Sequence, residues 1–296
     1  MWNPFTFKGT KADQDHKRII KNILFGKGIK NPETRPIYKD GTSALSYGYN
    51  GEMFQYDLSK GEFPIITLRP IAYKSAIKEI FWIYQDQSNS LNVLEDKYNI
   101  HWWNDWDIGD RTIGTIYGHT VKRYELIDRL IYALHKDPYS RRHIMSLWQE
   151  DELRGNNMVP CAYETLWNVR HTRDRGNVLD MTLIQRSCDT GCALSINQVQ
   201  YCALLYMVAH CVPNMCPGVF THFVQNIHIY ERHMGGAMEM LERKPVRCHP
   251  KMMIKPLSSF NFYELKPEDI LVLDYPIEKI KKVNPQINVF KENMAI

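Results

Sequence analysis

Residues 178–230 read VLDMTLIQRSCDTGCALSINQVQYCALLYMVAHCVPNMCPGVFTHFVQNIHIY, and the fold class turns on this stretch. Segment 178–186 reads as a strand and 219–230 as another, with Gly, Asp and Asn turn signals at their ends. Between them, 196–211 is apolar on most faces of a helical wheel, the pattern of a buried helix. Upstream, 143–148 and 164–170 predict two more strands, and FPIITL (63–68) a short buried one. Residues 35–51 are turn-rich and then β-like. Pro70 opens a predicted helix, because a missing N–H costs nothing in the first turn. Ile77, Ile80, Phe81 and Tyr84 make its apolar stripe. A second stripe, Leu126, Ile127, Leu130, Ile131 and Leu134, spans 124–136 and ends at Asp137-Pro138. Helices around a sheet predict an α/β (α+β) domain. The strand order does not follow from these patterns.

The 296 residues allow one large domain or two small ones. With no repeat, low-complexity run or long linker, a single domain over 1–296 is the simplest expectation. Hydrophobic residues at 44% and charged residues at 24% match a globular chain and argue against disorder. The 37 basic and 33 acidic residues leave +4, too little to imply a nucleic-acid partner. Segment 199–212 carries Gln200 and His210 and is too short to span a bilayer. The first residues, MWNPFTFKGTKADQDHKR, hold no apolar signal core. Seven cysteines, an odd number, predict free thiols in a reducing cytoplasm.

Several residues could carry chemistry. Cys161 follows Pro160 and has Arg141, Arg142 and Arg186 in its region. It is either a small buried hydrophobe or a nucleophile whose pKa those cations lower toward thiolate. Arg141 and Arg142 are either a solvated pair or a phosphate clamp, since guanidinium forks match phosphate oxygens. Gln185, Arg186 and Ser187 add polar donors at a strand end. Glu79 sits in the apolar run AIKEIFWIY, where desolvation would raise its pKa and suit it to proton transfer. His228 and His233, Cys188 and Cys192, and Cys211 and Cys216 lack zinc-site spacing, so no metal is expected. GxxxxGK and GxGxxG loops are absent.

Four runs in order, DPYSRRHIMSLW (137–148), MVPCAYETLW (158–167), QRSCDTGCALSIN (185–197) and HIY (228–230), resemble the thymidylate synthase family. FPIITLRPIAYKSAIKEIFW, HWWNDW and the terminal MAI extend the likeness. The resemblance implies that family's fold, a large mixed sheet flanked by helices, with a sheet face packed in a homodimer. It implies reductive methylation of dUMP to dTMP, with 5,10-methylenetetrahydrofolate as carbon and hydride donor and dihydrofolate as product. Cys161 matches the nucleophile that adds to uracil C6. Asn197 matches the amide that accepts from uracil N3–H and donates to O4. Arg35, Arg186 and Ser187 match phosphate ligands, with Lys39 the other candidate for the first; Gln185 joins the substrate set. Arg141 and Arg142 match a pair that reaches the phosphate from the other subunit. His228 and Tyr230 match ribose contacts, and Asp189 the carboxylate that binds the folate ring. Glu79 matches the acid that organises proton transfer, and Tyr117 the tyrosine linked to loss of the C5 proton. Trp103 matches the shield over the intermediate, while Trp102, Ala193 and Ile296 fall on the folate side.

The chain departs from the common family pattern in places. Ala162 follows the nucleophile where most members carry His, which resembles a less common branch. Ala193 adds a methyl near the folate path, and Asn226 stands where Asp is usual before His228. Two other readings remain at this level. One is a pyrimidine-nucleotide hydroxymethylase that quenches the same adduct with water, against which Asn197, Trp103 and the apolar C-terminus argue. The other is an inactive nucleotide- or RNA-binding homologue, against which the retained Cys161 argues.

Overall fold

The computed structural model describes residues 7–32, 35–153 and 158–292. Its helices are α1 (Lys11–Phe25), α2 (Tyr73–Ile80), α3 (Leu91–Tyr98), α4 (Gly118–Arg123), α5 (Leu126–Lys136), α6 (Leu194–Cys211), α7 (Met234–Glu242), α8 (Ile277–Val283) and α9 (Val289–Glu292). Its strands are β1 (Ile29–Asn31), β2 (Ser46–Asp57), β3 (Ile144–Ser146), β4 (Ala162–Thr172), β5 (Gly176–Asp189), β6 (Met215–Tyr230), β7 (Lys251–Ile254) and β8 (Ile270–Leu273). The first six strands form one sheet in the order β1-β2-β6-β5-β4-β3, and β7 pairs with β8 apart from it. Only β5 and β6 run parallel in the large sheet. Helix α6 joins them, since parallel neighbours need a crossover rather than a tight turn.

That unit is the quoted stretch. Leu204, Leu205, Met207 and Val208 of α6 are fully enclosed, the condition that its all-round apolar wheel predicts. The β5–β6 register pairs Gln185 with Val224 and Asp189 with His228, so the polar ends of both strands lie side by side. Phe220, His222 and Val224 of β6 face the core, while Val219, Thr221 and Phe223 face the opposite side and stay half-buried. Met53 of β2 is 60% exposed on the strand paired to it. The sheet thus has one covered face and one face that no helix among the described residues fully covers.

The predicted strands all widen at their ends or shrink, with one loss. FPIITL is buried but forms no strand. Pro64 lacks the N–H a ladder requires. Distant side chains satisfy the backbone instead: Asp13 accepts from Thr67 N–H (2.6 Å), Tyr275 donates to the Ile66 carbonyl (2.9 Å), and Asn284 donates to that of Thr67 (2.8 Å). The helix expected from Pro70 begins at Tyr73, and one π-helical turn, Phe81–Gln85, follows it. The pattern at 124–136 starts at Leu126, after the separate short helix α4. All seven cysteines are free thiols. Among the described residues no helix is long and apolar enough to cross a membrane.

Candidate active site

The covered side of the sheet opens, at the ends of β5 and β6, into a cavity of about 310 Å³. Alternation along β5 turns Gln185, Ser187 and Asp189 toward it. His228 and Tyr230, two apart on β6, stand beside them. The first turns of α6 add Asn197, Gln200 and Tyr201, spaced i, i+3, i+4 and therefore on one helix face. Glu79 and Ile80 come from the end of α2, Ile83 from the π turn, and Trp102, Trp103 and Trp106 from the segment after α3, which ends in a 3-10 turn. Cys161 enters just before β4. Its N–H donates to the Tyr117 hydroxyl (3.1 Å), and its carbonyl accepts from the Arg186 N–H (2.9 Å).

Arg186 points off the cavity-facing side of β5. Its guanidinium donates to the carbonyls of Val159 (2.8 Å) and Pro160 (3.0 Å) and reaches the Cys161 Sγ at 3.5 Å. It therefore shapes the turn that presents the thiol. Arginine proximity was expected to pull the Cys161 pKa down. Burial outweighs it: the thiol is pushed up, with Arg186 and Arg35 opposing. The Tyr117 phenol is likewise pushed up by burial and stays protonated. Tyr117 has φ +52°, a costly conformation for an aromatic residue, held where its hydroxyl meets the Cys161 N–H.

Burial raises Glu79 from 4.5 to about 7, while Trp102 and Gln200 act as donors that favour its charge. The desolvation expected of this carboxyl is present. Asp189 behaves oppositely. Burial works against its charge, yet His233 (3.2 Å) and the Gly191 N–H (2.8 Å) hold its pKa at about 2. The Asn226 Oδ1 lies 2.9 Å from His228 Nδ1, which burial keeps neutral; Nδ1–H donates there and Nε2 is left as the acceptor.

The thymidylate synthase family model matches residues 14–287. The chain belongs to that family. It is 47% identical over 268 residues to thymidylate synthase of Streptococcus pneumoniae (strain 70585), covering 90% of this chain and 95% of that one. It is 46% identical over 275 residues to thymidylate synthase of Streptococcus thermophilus (strain ATCC BAA-491 / LMD-9), with the same coverages. Among solved structures, thermostable thymidylate synthase A from Bacillus subtilis superposes with a TM-score of 0.81 at 31% identity, over 90% of this chain and 96% of that chain. The thymidylate synthase fold is therefore established for this chain, and the chain is an enzyme of the methyl-transferring kind that the family name denotes.

Of the residues singled out in the sequence for this thymidylate synthase fold, Cys161, Glu79, Tyr117, Asn197, Gln185, Ser187, Asp189, Ala193, His228, Tyr230, Trp102 and Trp103 line the one cavity. Arg35 lines an adjoining recess with Tyr38 and Trp106, and its charge is felt at Cys161. Lys39, the other candidate, is paired with Asp105 at 2.9 Å. Arg141 and Arg142 are exposed and line no part of this chain's cavity. Ile296 lies outside the described residues. Sequence reading missed Trp106, Met158, Cys192, Gln200 and Tyr201 in the cavity wall. The i, i+3 spacing of Trp103 and Trp106, and of Asn197 and Gln200, was the available signal.

Asp189, Cys192 and His233 also bring potential ligand atoms within 4.8 Å of one another. The thiol, however, donates to the Phe290 carbonyl (2.8 Å), and the imidazole already faces Asp189.

Proposed function

We propose that the chain converts dUMP to dTMP with 5,10-methylenetetrahydrofolate, through a covalent bond from the Cys161 sulfur to uracil C6. One observation carries this reading. A thiol, a carboxyl with a pKa near neutrality, a protonated phenol and a buried amide converge on one cavity, as Cys161, Glu79, Tyr117 and Asn197.

In this reading Arg35, Ser187 and the Arg186 Nη1, the guanidinium nitrogen not spent on Val159 and Pro160, hold the phosphate, and His228 and Tyr230 take the ribose hydroxyl. Asn197 accepts from N3–H and donates to O4. The Cys161 thiol gives up its proton to solvent, with the Arg186 charge at 3.5 Å favouring the thiolate; the sulfur pair forms the bond to C6, and the C5–C6 π pair moves toward C5 and O4, where the Asn197 amide N–H stabilises the developing charge. C5 becomes the nucleophile. Its proton later leaves toward the polar side of the cavity, where Tyr117 and Glu79 stand. The sulfur–C6 bond breaks when the product forms.

The cavity also fits the folate. Trp102, Trp103, Trp106, Ile80 and Ile196 make an apolar, mostly aromatic wall, and Asp189 supplies an ionised carboxylate in the same cavity. A recess that shares Trp102, Cys192 and Ile196 is also lined by Lys74 and by Lys281, the latter paired with Glu278 (2.8 Å), and the Lys74 charge suits an anionic tail. When bound, this cosubstrate supplies the carbon unit and the hydride. Trp103 excludes water from the reacting carbon; it sits 5.4 Å from the Tyr117 ring and 5.5 Å from that of Trp106.

The reading extends to a single cytoplasmic catalytic domain that works as a homodimer, with Arg141 and Arg142 completing the phosphate site of a second copy. Their exposure beside β3, and the uncovered sheet face, support it.

An assay with dUMP and methylenetetrahydrofolate tests the whole. Equal amounts of dTMP and dihydrofolate are expected. Cys161→Ser should lose roughly 1000-fold or more in turnover while still binding dUMP. A hydroxymethyl product without dihydrofolate, or an active Cys161→Ser, would overturn it.

A further inference from the structure

Gln200 is 3% exposed, lines the cavity, and belongs to none of the motifs that identify the site. It is the last link in a chain of buried amides. His222 Nε2 lies 2.9 Å from Gln185 Oε1. Gln185 Nε2 donates to the Ser187 carbonyl (2.9 Å) and to Asn197 Oδ1 (3.1 Å). Asn197 Nδ2 donates to Gln200 Oε1 (2.9 Å). Glu79 lines the same cavity, and the Gln200 side chain favours its charged form.

Each amide could be turned end for end if it stood alone. The two ends of the chain forbid it. A peptide carbonyl only accepts, so Ser187 requires the amino end of Gln185, and that amino end requires the oxygen of Asn197. At the other end the Gln200 oxygen takes the amino end of Asn197, and once Glu79 is ionised it only accepts, which holds the amino end of Gln200 toward it. Both constraints select the same orientation of Asn197. Its spare lone pair and spare N–H face the cavity as an acceptor beside a donor. Uracil offers N3–H and O4, the complementary pair. Cytosine offers an N3 lone pair and an amino group, the reverse.

We infer that Gln200 is a positioning residue that, with Gln185, clamps the Asn197 amide in its uracil-reading orientation and ties that clamp to Glu79. The inference rests on the proposed role of Asn197 as base reader. Removing Gln200 frees one side of the amide, and the group that rejects cytosine is then able to turn. It also takes a donor from Glu79, which raises the pH at which that carboxyl ionises.

The test uses Gln200→Met, close in volume and unable to hydrogen-bond, and Gln200→Glu, which keeps an acceptor for Asn197 but gives Glu79 no donor once ionised. The kcat/KM ratio of dUMP to dCMP and the acid limb of the pH profile are read in both, after matched thermal unfolding. Gln200→Met should lose about tenfold in base selectivity and shift the acid limb upward. Gln200→Glu should keep the selectivity and shift only the limb. Asn197→Asp is measured alongside. If it relaxes selectivity while folded Gln200→Met does not, the role of Gln200 is overturned and that of Asn197 stands. If neither relaxes selectivity, the base-reader assignment fails and takes the inference with it.

Discussion

At the scale of single residues, burial decides protonation at the two groups that matter most. Cys161 and Glu79 both sit where charge is poorly solvated, and both are pushed toward their neutral forms. For Glu79 this has a consequence for stability. The folded state holds the proton up to about pH 7, the unfolded chain only to about 4.5. Folding is therefore unaffected below pH 4.5, loses stability as pH rises from 4.5 to 7, and carries the full cost above 7. That cost is about 3 kcal/mol. Glu79→Gln cannot ionise. Its stability relative to the parent should rise by about 3 kcal/mol between pH 4 and pH 8, as urea unfolding would read it. Turnover should fall roughly 100-fold, the worth of a general acid or base. A stability difference that does not change with pH would mean that Glu79 titrates normally.

At the scale of elements, the placement of Cys161 depends on a short strained join. Tyr117 precedes α4 at φ +52°, and its hydroxyl receives the Cys161 N–H. Gly118, the first residue of α4, is pressed onto the segment that follows the π turn. A Cβ at Gly118 would lie 2.0 Å from the Ser88 carbonyl oxygen and 2.4 Å from its nitrogen. Both are backbone atoms, so neither a rotamer change nor a flexible side chain relieves the contact. Gly118→Ala should cost about 3 kcal/mol in urea unfolding and lower kcat at least about tenfold, by carrying Tyr117 away from Cys161. A stable, fully active Gly118→Ala would show that this join tolerates movement. The lost strand at 63–68 belongs to the same scale. Its apolar run reads as β, but Asp13, Tyr275 and Asn284 already meet its polar groups.

At the scale of the molecule, the arginines are divided. Arg35 and Arg186 act near Cys161 within this chain, whereas Arg141 and Arg142 stand exposed beside β3. On the same side the sheet shows half-buried Thr221 and Phe223 and exposed Met53 and Ile144. A C2 pairing of such faces is self-complementary and would bring each arginine pair to the other copy's site. Arg141→Ala and Cys161→Ser proteins should then each be nearly inactive. Equal mixing with full exchange should restore about a quarter of parental activity, from one intact site in half of the dimers. No recovery after proven exchange would place the arginine pair outside the partner's site.

The sequence by itself determined the family and most of the chemistry of the cavity. Cys161, Glu79, Asn197, Asp189 and His228, which meet in the cavity, are legible because their residue types and order along the chain match the family's runs. The helix α6 and its flanking strands are legible because apolar periodicity is local. The tertiary structure alone decided the parallel pairing of β5 with β6, the upward shift of the Cys161 thiol, and the clamp on Asn197. The physical reason is range. Strand order, desolvation and the direction of an amide hydrogen bond depend on groups brought close only by folding: Arg186 is 25 residues from Cys161, and His222 is 37 from Gln185.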